Sequence, residues 1–268
     1  METDQGVPVR RGYVGVPTGQ IHFAQAGTGT PVLMLHQTPR SWTEFQYVLP
    51  LLGRDRRAIA MDTLGYGASS PPDVGDGPDT VEAYADGVIR LLDALGIDRA
   101  ALVGHHTGGI IAVEVAAAHP ERVTGVVLSC TPLVDEQGRR NRPEVDGAPV
   151  AADGSHLTEL WGARRPYYPA GRPDLLEDYI ADALRCGPRR AEGHRAVARF
   201  EMERRIPLLR CPVLLLGAPG DIAYQDLPRW SAALPEARTT VIDGGLVPLP
   251  DHLPAEFTAA VRIFLDEL

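Results

Sequence analysis

The residues best placed to do chemistry lie in one short stretch, Ala101 to Ala112, which reads ALVGHHTGGIIA. Ala100 to Val103 is an apolar run of buried-strand type, and Ile110 to Ala118 opens an Ala-rich apolar helix. Between them, glycines stand two before and two after His106, at Gly104 and Gly108. That spacing suits a sharp strand-to-helix turn, where backbones approach closely and the central side chain stands above the sheet end. The turn requires a positive φ at its centre, which His tolerates better than most residues. An imidazole changes charge near neutral pH, so His106 is a candidate general base. Two other uses of the same residue stay open: His106 as a direct nucleophile forming an acyl-imidazole, and a ligand-binding site without catalysis.

The composition bounds the setting for this chemistry. The chain has 268 residues, is 44% hydrophobic and carries a formal charge of −9, with a mean hydropathy of −0.10. One domain, or one domain with an insertion, fits this length. The negative balance makes nucleic acid and anionic membrane surfaces poor partners, so a small-molecule substrate is expected, with a homodimer left open. All 26 basic residues are Arg, which excludes a Schiff-base or other catalytic lysine. Cys130, Cys186 and Cys211 are scattered without C-x-x-C spacing, as in a reducing compartment. The polar start METDQGVPVRR and the lack of a long apolar run point to a cytoplasmic protein. No H-x-x-x-H or clustered Cys/His spacing is present, and His105 and His106 are expected to point different ways, so no metal is expected.

The elements that must hold His106 follow from the patterning. Gly12 to Ala26 reads as a hairpin broken at Pro17-Thr18-Gly19. Strands are predicted at Val32–Leu35, Arg57–Met61, Val126–Ser129, Val213–Gly217 and Thr239–Ile242. Ser41 is a predicted N-cap for a helix carrying Trp42, Phe45, Tyr47 and Leu49, and Thr80 for one with Val81, Tyr84, Val88, Leu91 and Leu92 on one face. A last helix runs from Pro254 to Leu268. Strands alternating with helices predict a parallel, doubly wound sheet. From Thr131 to about Arg210 no strand is evident; Arg139 to Pro149 reads as a polar loop, and helical pieces include Ala191 to Met202.

Four motifs, in order, resemble the α/β-hydrolase family over essentially the whole chain. They are His36-Gln37-Thr38-Pro39 at the oxyanion-loop position, the turn from Asp62 to Ser69, the nucleophile elbow at Gly104 to Gly108, and Gly217 to Asp221 at the acid position. The resemblance implies a mostly parallel eight-stranded sheet flanked by helices. It implies a core of residues 1–130 and 211–268, with a helical cap of residues 131–210 inserted after the sixth strand. It implies Asp221 as the acid and the backbone amides of Thr38 and Thr107 as an oxyanion hole. His36 matches a residue that braces the oxyanion loop, with its ring expected at the pocket border. His105 is expected to pack behind the site.

The chain departs from the family at two decisive places. The elbow holds His106 instead of serine, and Gly244-Gly245-Leu246 places Leu246 where the family has its catalytic histidine. An acyl-enzyme route through a serine hydroxyl and adjacent base is therefore not available at these positions. From its length, His106 is expected to reach Asp221 in space vacated by the change to Leu246, leaving its other ring nitrogen as a base. The expected reaction is elimination, lyase chemistry or water-activating hydrolysis on a small carbonyl compound, in the setting of specialised metabolism and without a cofactor. Gln37 replaces a glycine and is expected to crowd the loop or offer its amide to ligand. Trp161, with the arginines and tyrosines around it, is the cap residue expected at the substrate. His252 is expected on an exposed loop.

Overall fold

The apolar runs become the centre of an eight-stranded sheet in the computed structural model, which describes residues 7–17, 19–140 and 150–268. The strands are β1 (Arg10–Val16), β2 (Gly19–Ala26), β3 (Pro31–Leu35), β4 (Arg57–Met61), β5 (Ala100–His105), β6 (Val123–Ser129), β7 (Val213–Gly217) and β8 (Arg238–Val241). Their order across the sheet is β1-β2-β4-β3-β5-β6-β7-β8. β2 runs antiparallel to both β1 and β4, and every pair from β4 to β8 is parallel. Thr18, in the predicted hairpin turn, lies outside the described residues.

The helices are α1 (Val48–Leu52), α2 (Val81–Ala94), α3 (Thr107–Ala118), α4 (Glu136–Arg140), α5 (Ser155–Arg164), α6 (Pro173–Cys186), α7 (Glu192–Arg199), α8 (Leu227–Ala233), α9 (Leu249–His252) and α10 (Pro254–Leu265). Among the described residues, no helix is long and apolar enough to cross a membrane. Thr80 caps α2 as predicted, its hydroxyl accepting from Ala83 N–H. Ser41 caps only a 3-10 turn, Trp42–Phe45, which gives way to α1. Arg139 and Arg140 end a helix where a loop was predicted, and 141–149 lie outside the described residues. The predicted Ala191–Met202 helix is shorter, because Phe200 turns extended after Arg199.

Side chains alternate across each buried strand, so the sheet feeds two cores. Leu33, Leu35, Ile59, Leu102 and Leu128 meet α2 and α3 on one face. Val32, Met34, Ala58, Val103 and Leu216 meet α1 and α10 on the other. The central parallel strands are thus covered on both faces and end in loops, which is where such a sheet offers a site.

Between β6 and β7 the described residues are helical, with a small core of Tyr168, Leu175, Leu176, Tyr179 and Ala183. Polar links fasten this segment to the loops that follow β3 and β4. Asp182 on α6 accepts from Arg40 Nε at 3.0 Å and from Ser41 and Thr43 hydroxyls at 2.9 Å. Gly193 N–H donates to Tyr66 Oη at 2.6 Å, and Arg189 pairs with Asp79. Gly193 lies close against the loop after β3: a Cβ there would fall 2.4 Å from Thr38 Oγ1.

Candidate active site

β5 enters the site through His105, and the chain then turns sharply into α3. His106 makes the turn with φ 48° and ψ −115°, a conformation costing a non-glycine residue about 1–3 kcal/mol that the surroundings must hold. They hold it through His106 N–H donating to Ser129 carbonyl oxygen at 3.0 Å, and through Gly109 N–H donating to the His106 carbonyl at 2.9 Å. Close packing requires the glycine at 108, where a Cβ would sit 1.9 Å from the Leu35 carbonyl oxygen. Gly108→Ala is expected to destabilise the protein by at least about 3 kcal/mol, read as a lower urea midpoint with unchanged slope.

His106 and Asp221 come together from 115 residues apart. His106 Nε2 lies 2.7 Å from Asp221 Oδ2, with His106 8% exposed and Asp221 buried. Burial opposes the charge on Asp221, but His106 and the Ala223 N–H outweigh it and hold the carboxyl below its usual range. An ionised Asp221 only accepts, so Nε2 of the neutral ring carries the proton and Nδ1 keeps its lone pair. Among the described residues, Nδ1 makes no hydrogen bond.

Neither the Thr38 amide nor the Thr107 amide has a hydrogen-bond partner among the described residues. Thr107 opens α3, where unpaired N–H groups and the helix dipole favour negative charge. The two threonine hydroxyls lie 3.1 Å apart, which fixes the two side chains against each other. Leu246 packs over Gly220, beside the acid loop, through a bridge between the two residues.

Several sequence expectations need correction. His36 does not border a pocket: it is fully buried, its Nδ1–H donates to the Gln37 carbonyl at 2.7 Å, and its Nε2 accepts from Thr63 N–H at 3.0 Å. Gln37 turns toward Glu44 rather than a ligand, its backbone and side-chain amides both donating to that carboxylate, at 2.7 and 2.6 Å. His252 closes the short helix α9 and is half-buried, so its ring is not on an exposed loop. Trp161 is 36% exposed on α5, and no described contact brings it to His106 or Asp221.

His105 and His106 do not diverge. Their rings meet edge to face with centroids 4.6 Å apart, because the positive φ at His106 breaks the strand alternation. With Asp221 they form a group whose ligand-type atoms lie within 4.8 Å. His105 has no nitrogen to spare for a metal, however. A carbonyl only accepts, so Nε2–H donates to Val247 oxygen at 2.8 Å, and Nδ1 accepts from Ser129 Oγ at 3.0 Å. Burial lowers its pKa and keeps the ring neutral. His105 thus braces β5 against β6 and the loop that carries Leu246. Sequence reasoning missed the partners Glu44 and Val247, since neither stands in a chemical motif.

A family model described as alpha/beta hydrolase fold matches residues 30–245. The chain belongs to the α/β-hydrolase family. Among curated α/β-hydrolase relatives, it is 36% identical over 129 residues to "Bifunctional epoxide hydrolase 2" of Rattus norvegicus, covering 47% of this chain and 23% of that protein. The chain therefore matches less than a quarter of that relative's length. It is 28% identical over 263 residues to "Haloalkane dehalogenase 2" of Mycobacterium bovis, covering 91% and 90%. Among solved α/β-hydrolase structures, the enol-lactonase of Burkholderia xenovorans LB400 superimposes with a TM-score of 0.79 at 21% identity, over 95% of this chain and 100% of that one.

Proposed function

We propose that this α/β-hydrolase acts on a small carbonyl-containing organic substrate with His106 as general base and no serine acyl-enzyme. The observation that carries the reading is the His106 Nε2–Asp221 Oδ2 contact of 2.7 Å, which leaves Nδ1 as the basic atom. The substrate carbonyl oxygen is held by the Thr38 and Thr107 amides, where negative charge develops. Nδ1 then removes a proton, either from the carbon next to that carbonyl or from a water molecule. In the first case an enolate forms at the amides and expels a leaving group, which is elimination. In the second, hydroxide adds to the carbonyl carbon and the tetrahedral oxyanion collapses with loss of the leaving group. Asp221 stabilises the imidazolium in both, and the ring returns its proton to the departing group. The name of the epoxide hydrolase relative supports water as a reactant. The helical segment between β6 and β7 serves as the cap over this site, and specialised metabolism is the setting this departure from a serine site suggests.

Treatment with a fluorophosphonate serine probe and a p-nitrophenyl ester tests the reading, with intact mass and absorbance as readouts. No adduct is expected, and any ester turnover is expected to survive the probe. A stoichiometric adduct on a serine, together with loss of ester turnover, would overturn it.

A further inference from the structure

Arg40 is among the largest fully buried side chains of the described residues, and it sits where three parts of the fold meet. Its Nε donates to Asp182 Oδ2 on α6 at 3.0 Å, and its Nη2 donates to Asp251 Oδ2 on α9 at 3.0 Å. Glu44 lies in the same cluster, fully buried, with only the neutral amides of Gln37 as hydrogen-bond donors. One guanidinium therefore faces three buried carboxyl groups. If all three were ionised the cluster would hold an excess of two negative charges away from water, which is prohibitive.

The geometry marks where the excess is relieved. Asp251 Oδ1, Arg40 Nη1 and Tyr168 Oη all lack a hydrogen-bond partner, and all three are sealed from any water-sized space. No water or ligand fits against them, so a proton is the species that balances the charge. Asp182 has both oxygens engaged by Arg40, Ser41 and Thr43. Both Glu44 oxygens accept from Gln37. Asp251 is the carboxyl with an oxygen left over.

We infer that Asp251 holds a proton while α6 is docked, and that its ionisation releases α6 from Arg40, so that Arg40 and Asp251 form a pH-sensitive latch on the helical segment. The groups acting on Asp251 are Arg40 from the loop after β3, Glu44 from the 3-10 turn and Asp178 from α6, while Asp182 on α6 and Tyr168 before it act on Arg40. On α10, Glu256 faces His252 instead. Burial first, and Glu44 and Asp178 after it, push Asp251 up to about 8 against the pull of Arg40. When Asp251 ionises, α6 is the element that can carry its acidic side chains out into water, because α9 is packed into the core.

The sign follows from linkage. A carboxyl whose pKa is raised in the docked form favours docking fully below the ordinary carboxylate range, and loses that advantage as pH rises to its docked pKa. The experiment is hydrogen exchange of the α6 amides from pH 5.5 to 9, corrected for intrinsic rates, in the wild type and Asp251→Asn. In the wild type the opening constant is expected to rise by up to about tenfold per pH unit and to level off above pH 8. The amide of the variant mimics the protonated acid, so Asp251→Asn is expected to stay level and protected. A flat wild-type profile, or the same slope in both proteins, overturns the latch. A second measurement needs no variant: one Asp carboxyl carbon in the NMR spectrum of the wild type is expected to titrate near pH 8. Titration of every Asp in the ordinary range also overturns it.

Discussion

Replacing His106 with alanine is expected to lower kcat/KM by about 10²- to 10⁴-fold, the usual worth of a positioned general base. The loss should fall mainly on kcat, because the Thr38 and Thr107 amides remain to bind the carbonyl oxygen. Asp221→Asn is expected to be nearly as damaging. An asparagine can donate to Nε2 and so place the ring proton on Nδ1, the wrong nitrogen; an amidated triad aspartate costs up to about 10⁴-fold for the same reason. His106→Ser provides the informative contrast. It returns a hydroxyl to the turn, yet Leu246 supplies no base, so this variant is expected to be as inactive as alanine. Full activity in His106→Ala would remove His106 from the chemistry. Incorporation of solvent oxygen into the product divides hydrolysis from elimination in the wild type.

The second large effect concerns stability. Arg40→Met is expected to destabilise the protein by about 3–5 kcal/mol, since it strands buried carboxyls without their counter-charge. For a chain of this size that corresponds to a fall in Tm of roughly 10 °C. The loss should be smaller near pH 6, where Asp251 is protonated and one fewer charge is stranded, than near pH 9. Differential scanning calorimetry at the two pH values checks both the size and its direction. A loss below about 1 kcal/mol would mean that the cluster contributes little beyond packing.

Much of the scaffold could be read in the sequence because strand burial and tight turns leave local signatures. Val32–Leu35 and Ala100–Val103 are continuous apolar runs because parallel strands are covered on both faces. Gly108 is a glycine because the Leu35 carbonyl occupies the place of a Cβ. The motif order around His36, Asp62, His106 and Asp221 carried the family, which the match over residues 30–245 shows. Helix limits were less legible: the break at Phe200 and the helix through Arg140 depend on contacts such as Arg139 with Glu203, 64 residues away.

Residue type and position told which side chains could act, and at His106 and Asp221 they named a pair 115 residues apart. Only the tertiary structure decided how each polar atom is used. His36 and Gln37 looked like ligand-facing groups, yet Thr63 and Glu44 take their hydrogen bonds. Adjacent histidines looked divergent, yet the positive φ at His106 brings the rings together. Arg40, Asp182 and Asp251 stand in no motif, and their meeting spans 142 and 211 residues of chain. Hydrophobic burial and turn geometry are written in local patterns of a few residues. The partner of a buried charge is set by which loops the packed sheet brings together, and no local pattern carries that.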